Sequence, residues 1–482
     1  MMVARFKKID KSSLWAALLV SIWFLVNLYL ASQRSISCDE WPKFDYMGLG
    51  LKRALYMHLS ELAPYAPGEI FLGAASKNLF GWFLPNEIWT RLPALGFGAA
   101  TLALGFGLRL RFLVLPLLFS VTLTSFVTQF QPYAAMVFGG ALAFAITHDE
   151  NPEQPLLLGR LAWFNLFFGH IYGICFVALA QAFRRKWLEV AAGACGVVAI
   201  LAVHFHLRRT FAPMHAEFPP AVEIIRQTGG TLTNPHKAAY LFLPLLAAGL
   251  VFLGGRRPTK LFSVAALLAA TILAPMLASK AGDYMFLPRQ IVGGVVPVLA
   301  VAALGFEWLL ALVARKWGAA ARQALLVTGW CLNIAASVLP WVLFVRGVPP
   351  FVDQPLHRLK ALTREIVDSG ATHVLWTETG TGSSGVWYFN SILGKASHLP
   401  AQNYRSHDLA LQKDCWSRAG KPDFCVHLLT DLAFLYNAEH ALGGSARVHE
   451  LITSGDPVKF DAVVHSLDEF RNAGKVVVLR TW

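Results

Sequence analysis

The chain has 482 residues, of which 15% are charged and 55% hydrophobic, with a mean hydropathy of +0.49. An ordinary soluble domain carries about 25% charge, so this composition excludes a disordered chain and argues against a purely soluble enzyme. The tail from Arg346 onward holds 14 basic and 14 acidic residues, so the whole net charge of +13 belongs to the first 345. There it reports topology or binds anionic lipid and is no evidence for nucleic acid.

In chain order, the first feature is a short basic start carrying Arg5, Lys7, Lys8 and Lys11. An apolar run at 13–31 follows, long enough to cross a bilayer. No small-residue cleavage site comes after it, because the next residues are Ser32, Gln33, Arg34 and Ser35. The run therefore reads as an uncleaved first span, with the N-terminus in the cytoplasm.

Later basic clusters stand at Arg109/Arg111, Arg160, Arg184/Arg185/Lys186, Arg256/Arg257/Lys260 and Arg315/Lys316/Arg322. All fall on the cytoplasmic side if the chain crosses at 13–31, 92–108, 112–128, 132–147, 156–169, 171–183, 187–205, 238–254, 261–278, 288–313 and 323–345. The expectation is an α-helical polytopic membrane protein of about eleven spans, residues 1–345, followed by an outward-facing soluble α/β domain, residues 346–482. The pair at 156–183 must turn at Gly169-His170. Counting the apolar segment 67–83 as a span would turn every later basic cluster outward, so it reads as a helix at the outer surface.

This parity leaves two large outer loops, 32–91 and 206–237. In the tail, 354–369 has helical spacing, 372–377 reads as a strand and 475–480 as a closing strand. The implied location is a bacterial inner membrane with the tail in the periplasm. Among the Trp residues, Trp15, Trp23, Trp82, Trp163, Trp187, Trp308 and Trp341 read as interfacial belts at span ends.

Chemistry is concentrated just beyond the first span, in Ser37-Cys38-Asp39-Glu40-Trp41. Two adjacent carboxylates at a membrane surface repel each other and need a partner or water. Such a group deprotonates an acceptor hydroxyl or holds a divalent cation against a phosphate; read without context, the two are solvated loop acids. The same outer side gathers Lys43, Lys52, Arg53, Tyr65, Glu69, Arg91, His170, Tyr172, Arg208, Arg209, Lys237, Asp283, Tyr284 and Arg289. Acids, cations and tyrosines facing one compartment suit an anionic substrate with its tail in lipid. Arg289 stands where an outer loop enters a long apolar span, as an interfacial anchor or a bidentate phosphate ligand.

These residues lie in stretches that resemble a known family. Asp39-Glu40 after the first span is similar to the acidic motif of the GT-C lipid-linked glycosyltransferases, the group of protein O-mannosyltransferases and aminoarabinose transferases. Pro64-Tyr65-Ala66-Pro67 through Leu79-Phe80-Gly81 and Thr90-Arg91-Leu92-Pro93 resembles that family's PPLYY…LFG…RLPSAL stretch. Gln131-Pro132-Tyr133-Ala134 resembles its RPYA turn, and Pro288-Arg289-Gln290 its PRQ start of a late span.

The resemblance implies an inverting glycosyltransferase with a polyprenyl-phosphate sugar donor and a site at the outer membrane face. Asp39 would be the acceptor-activating base, and Glu40 a helper or, with Asp39, a ligand of a divalent cation. Arg289, with Lys52, Arg53 and Arg208, would hold the donor phosphate, and Tyr65, Glu69, Tyr133, His170 and Tyr284 would line the substrate pocket. Gln131 departs from the family's usual Arg, which removes a charge-assisted bond. The alternative class is a transporter or flippase for a lipid-linked or anionic solute. That function would place ionisable residues at mid-membrane between broken spans, and this sequence places them outside.

Three further signals carry less. Gly380-Thr381-Gly382-Ser383-Ser384-Gly385 matches a dinucleotide fingerprint, but no acidic residue ends a following strand, so it reads as a turn or a covering loop. Cys415 and Cys425 suit either an oxidised pair or two buried thiols. Glu307, near the inner end of a span, calls for snorkelling or a helix partner.

Overall fold

The structure, a computed structural model, describes residues 11–34, 36, 40, 43–44, 47, 50–59, 66–149, 154–207, 228–233, 239–281 and 288–346, with three strands at 374–376, 424–428 and 476–479. The chain divides into two compact units. One is Met1–Ser32 with Lys43–Asp353; the other is Gln33–Pro42 with Gln354–Trp482.

The first unit is helical. It opens with α1 (Lys11–Gln33), α2 (Leu51–Met57), α3 (Pro67–Phe80), α4 (Asn86–Trp89) and α5 (Leu92–Gly107), and continues through α6 (Val114–Leu118), α7 (Val121–Val127) and α8 (Tyr133–His148). Then come α9 (Leu156–Phe168), α10 (Ile171–Phe183), α11 (Trp187–Leu207), α12 (Ala239–Arg256), α13 (Pro258–Ala281) and α14 (Val295–Val345). Among the described helices, those covering 13–33, 258–277 and 289–345 are long and apolar enough to cross a membrane. Leu14, Trp15, Leu18, Ile22, Leu25 and Tyr29 of α1 are exposed while Asn27 is buried. Apolar side chains outside and a polar one inside is the arrangement of a helix solvated by lipid, and the chain is an integral membrane protein.

Most expected spans coincide with helices. The run at 112–128 does not form one helix. A 3-10 turn at Arg111–Leu113 leads into α6, which ends at Phe119, and Ser120 caps α7 by accepting the Leu123 N–H at 3.1 Å. Pro116 lacks the donor that would extend the ladder backwards, and the Ser120 cap starts a fresh helix. The expected spans 288–313 and 323–345 lie on either side of Gly318, whose φ of 84° breaks α14. Only glycine adopts that left-handed backbone at little cost.

Helices α9 and α10 meet at the Gly169-His170 corner, and α3 covers Pro67–Phe80 of the apolar segment 67–83. Trp23 departs from the belt reading, because it is buried mid-helix, packed on Gly98. Glu307 has Arg111 beside it as backbone donor and countercharge, which fits the helix-partner reading.

Two glycine contacts position one end of the helical unit. A Cβ on Gly68 would meet the backbone of Phe168 at 2.7 Å, so the first turn of α3 lies directly on the end of α9. A Cβ on Gly140 would collide with the carbonyl of Gly293, which presses α8 against the 3-10 turn Pro288–Gly294 ahead of α14. Close backbone approach through small residues is the common means of packing helices in lipid.

In the second unit, β1 (Val374–Trp376), β2 (Phe424–Leu428) and β3 (Val476–Leu479) form a parallel sheet in that order. The registers include Val374 opposite Phe424 and Cys425 opposite Val476. The outer two strands fall within the expected strands, and β2 is additional. The helix expected at 354–369, the glycine-rich run and Cys415 lie outside the described residues.

Candidate active site

Five chain segments converge at one end of the helical unit: the stretch at Lys43, the start of α3, the Phe130-Gln131-Pro132 turn into α8, the corner between α9 and α10, and the 3-10 turn before α14. Their polar side chains are mostly buried, with Arg289 half-buried.

Lys43 is central to this group. Its Nζ lies 3.1 Å from Glu69 Oε2, donates to the Phe130 carbonyl at 3.1 Å and to Gln131 Oε1 at 3.2 Å, and stands 5.5 Å from the Phe130 ring centre. An ammonium has three donors, and here three different acceptors take them. That matters because the Lys43 and Glu69 side chains are only 6% and 8% exposed, and a buried ion pair offsets its desolvation only when the other hydrogen-bonding positions are filled. Glu69 stands in the first turn of α3, after Pro67 at the helix start, where the helix dipole favours a carboxylate.

The Gln131 amide completes the Lys43 network. Its Oε1 accepts from Lys43, so an arginine at 131 would set two cations against each other. Its Nε2 is buried with no hydrogen-bond partner among the described residues. It lines, with Glu69, Pro93, Phe97, Phe130 and Phe168, a small cavity of about 20 Å³, on the scale of one water molecule.

Tyr133, two residues beyond Gln131, stands beside Arg289. The Arg289 guanidinium stands 5.5 Å from the Tyr133 ring centre, a cation–π placement, and the His170 ring lies 6.0 Å from the same tyrosine. His170 caps α10: its Nδ1 accepts the Tyr172 N–H at 3.1 Å, and its ring stacks on that of Tyr172 at 5.4 Å. An accepting Nδ1 places the proton of the neutral ring on Nε2. Burial, and then the nearby Lys43 charge, lower the His170 pKa to about 3, so the ring is neutral at physiological pH. His58, beside α2, is also buried, and the same two causes in the same order bring it to about 3.

Of the residues expected at the site, Glu69, Tyr133, His170 and Arg289 are therefore brought together. Lys43 and Tyr172, expected on the same face, join them. Lys52 and Arg53 are exposed on α2, in contrast to this buried cluster. Arg91 is buried and donates through Nη1 to the Ala31 carbonyl at 2.6 Å, so it ties α5 to the end of α1. Glu40 is a buried turn residue of the second unit. Asp39, Tyr65, Arg208, Arg209, Lys237, Asp283 and Tyr284 lie outside the described residues. His58 was not anticipated; its one signal is an ionisable residue between Met57 and Leu59.

No family model matches the chain, and no curated protein is similar to it. Among solved structures, the chain is similar to ArnT from Cupriavidus metallidurans in the apo state, with 12% identity and a TM-score of 0.43 over 95% of this chain and 96% of that one. It is also similar to ArnT from Cupriavidus metallidurans bound to undecaprenyl phosphate, with 14% identity and a TM-score of 0.35 over 93% of this chain and 94% of that one.

Proposed function

We propose that this chain is an inverting glycosyltransferase of the GT-C type, moving a sugar from a polyprenyl-phosphate donor to an acceptor at the outer face of the inner membrane. The observation that carries the reading is Arg289, half-buried and 5.5 Å from the Tyr133 ring centre at the start of a long apolar helix. A fixed guanidinium at the edge of lipid suits a phosphate whose tail lies in the bilayer. Four short motifs in the family's order support the same reading.

In the proposed reaction, Asp39 takes the proton of the acceptor hydroxyl while that oxygen attacks the anomeric carbon. The bond from that carbon to the phosphate oxygen breaks, and its electron pair leaves with the polyprenyl phosphate. Arg289 stabilises the charge that develops there, an effect strengthened where water is excluded. Glu40 assists Asp39, as a helper or as a cation ligand. Neutral His170 donates through Nε2 without adding charge, and Lys43 is a positioning residue that fixes Glu69 and the 130–131 turn. Glu69, Glu87 and Arg91, buried and charged, stand at or beside helix starts. The test is transfer of radiolabelled sugar from polyprenyl-phosphate donors by the purified chain, compared with its Asp39→Asn and Arg289→Ala variants.

A further inference from the structure

Helix α8 joins the Lys43 cluster at its N-terminus to a second polar site at its C-terminus. Its 16 residues span about 24 Å at 1.5 Å per residue, so the two sites lie at opposite ends of the bundle. The second is a cavity of about 550 Å³ lined by Asp149, Arg184, Arg256, Arg257, Thr259 and Lys260. Among the described residues, four cations surround one carboxylate there.

Two of the cations have a structural duty. Arg184 donates through Nε to the Ile146 carbonyl at 3.0 Å and through Nη2 to the Asp149 carbonyl. Lys260 donates to the His148 carbonyl at 2.9 Å. They close the C-terminus of α8, where carbonyls lack intrahelical donors and the dipole favours positive charge. Arg256 and Arg257 are exposed, and the Arg256 guanidinium is braced over the Phe252 ring at 5.8 Å. The cavity also receives the N-terminus of the 24-residue α13, which begins at Pro258 and directs the positive end of its dipole there. Phe183 lines the wall, and Phe262 on the next turn of α13 is 68% exposed on the apolar surface.

We infer that this cavity binds a phosphate group, and that its usual source is the headgroup of an anionic membrane lipid. The cations and dipole supply the charge, Arg256 and Arg257 the planar forks that match phosphate oxygens, and the flanking helices a surface for acyl chains. A basic pocket between membrane helices is the setting in which anionic headgroups are held. The inference is independent of the glycosyltransferase reading, since it concerns the other end of the bundle.

The test uses the full chain purified in detergent, with thermal unfolding followed during titration of phosphatidylglycerol, phosphatidylcholine or inorganic phosphate. Phosphatidylglycerol is expected to give saturable stabilisation that phosphatidylcholine does not. The double variant R256Q/R257Q, which leaves the Arg184 and Lys260 caps intact, should weaken the apparent affinity about thirty-fold. Each single variant should weaken it several-fold, which serves if the double variant folds poorly. The charge-matched control R315Q/K316Q should behave as wild type. Saturable protection by inorganic phosphate, also lost in R256Q/R257Q, would place the phosphate itself in the cavity, whereas protection by the lipid alone would make the tail part of the ligand. Equal phosphatidylglycerol affinity in wild type and R256Q/R257Q would overturn the inference, as would an equal loss in R315Q/K316Q.

Discussion

Lys43 and Glu69 stand 3.1 Å apart with both side chains almost wholly buried, and the pair joins a loop beyond the first helix to the start of α3. Removing one member strands the other charge in a buried site. Lys43→Met and Glu69→Gln are each expected to destabilise the chain by about 3–5 kcal/mol. The double variant should lose clearly less than the two singles together. A double-mutant cycle of thermal unfolding in detergent measures this, and strictly additive losses would show that the pair is not coupled.

Arg289 is expected to act through both its charge and its plane. Arg289→Ala should lower kcat/KM by about 100- to 1000-fold, the cost of removing a group that stabilises developing oxyanion charge. Arg289→Lys keeps the charge and loses the fork and the stacking on Tyr133, so an intermediate loss is expected. Steady-state kinetics with a polyprenyl-phosphate sugar check both, and a fully active Arg289→Ala would remove the residue from phosphate binding.

His170 makes acid stability a readout of the cluster. Its folded pKa of about 3 lies below the ordinary 6.5, so the unfolded chain takes up the proton first. The stability it contributes is complete above about pH 6.5, declines as pH falls below that value, and is gone once pH passes about 3. His170→Gln cannot titrate, so its unfolding midpoint should fall less steeply over that window than that of the wild type. Lys43→Met should raise the His170 pKa only part of the way, because burial is the larger cause. Unfolding midpoints against pH, with histidine NMR, test the two statements separately.

Gly140 is the most direct structural handle on Arg289. Gly140→Ala would drive a methyl group into the Gly293 carbonyl, so the 288–294 turn must shift. Overpacking of this kind costs about 1–3 kcal/mol. The donor KM should rise with it, because the same turn carries Arg289. A lowered melting temperature with an unchanged KM would separate the turn from donor binding.

What the sequence made legible, and what it hid, follows from the range of the interactions. The Gly169-His170 corner was readable because a glycine followed by a polar residue interrupts two apolar runs. The break at Gly318 was readable in outline, because Arg315, Lys316 and Arg322 mark the turn between two spans. The run at 112–128 looked like one span because hydropathy averages over Pro116 and Ser120, whereas the backbone responds to each locally.

The site was less legible than the helices. Lys43 read as one cation among many, since its acceptors lie 26, 87 and 88 residues away, and no local pattern encodes such a pairing. Arg91 looked like a site residue and is held by the Ala31 carbonyl, a partner 60 residues distant. His58 gave no signal because its properties arise from burial beneath other segments.

The proposed chemistry turns on Asp39, and a transfer assay reads it. Purified wild type and Asp39→Asn, shown to be equally inserted and equally stable, are incubated with radiolabelled polyprenyl-phosphate sugars and a panel of candidate acceptors. Labelled acceptor is expected from the wild type and none above background from Asp39→Asn. Equal labelling by both proteins would remove Asp39 from the reaction.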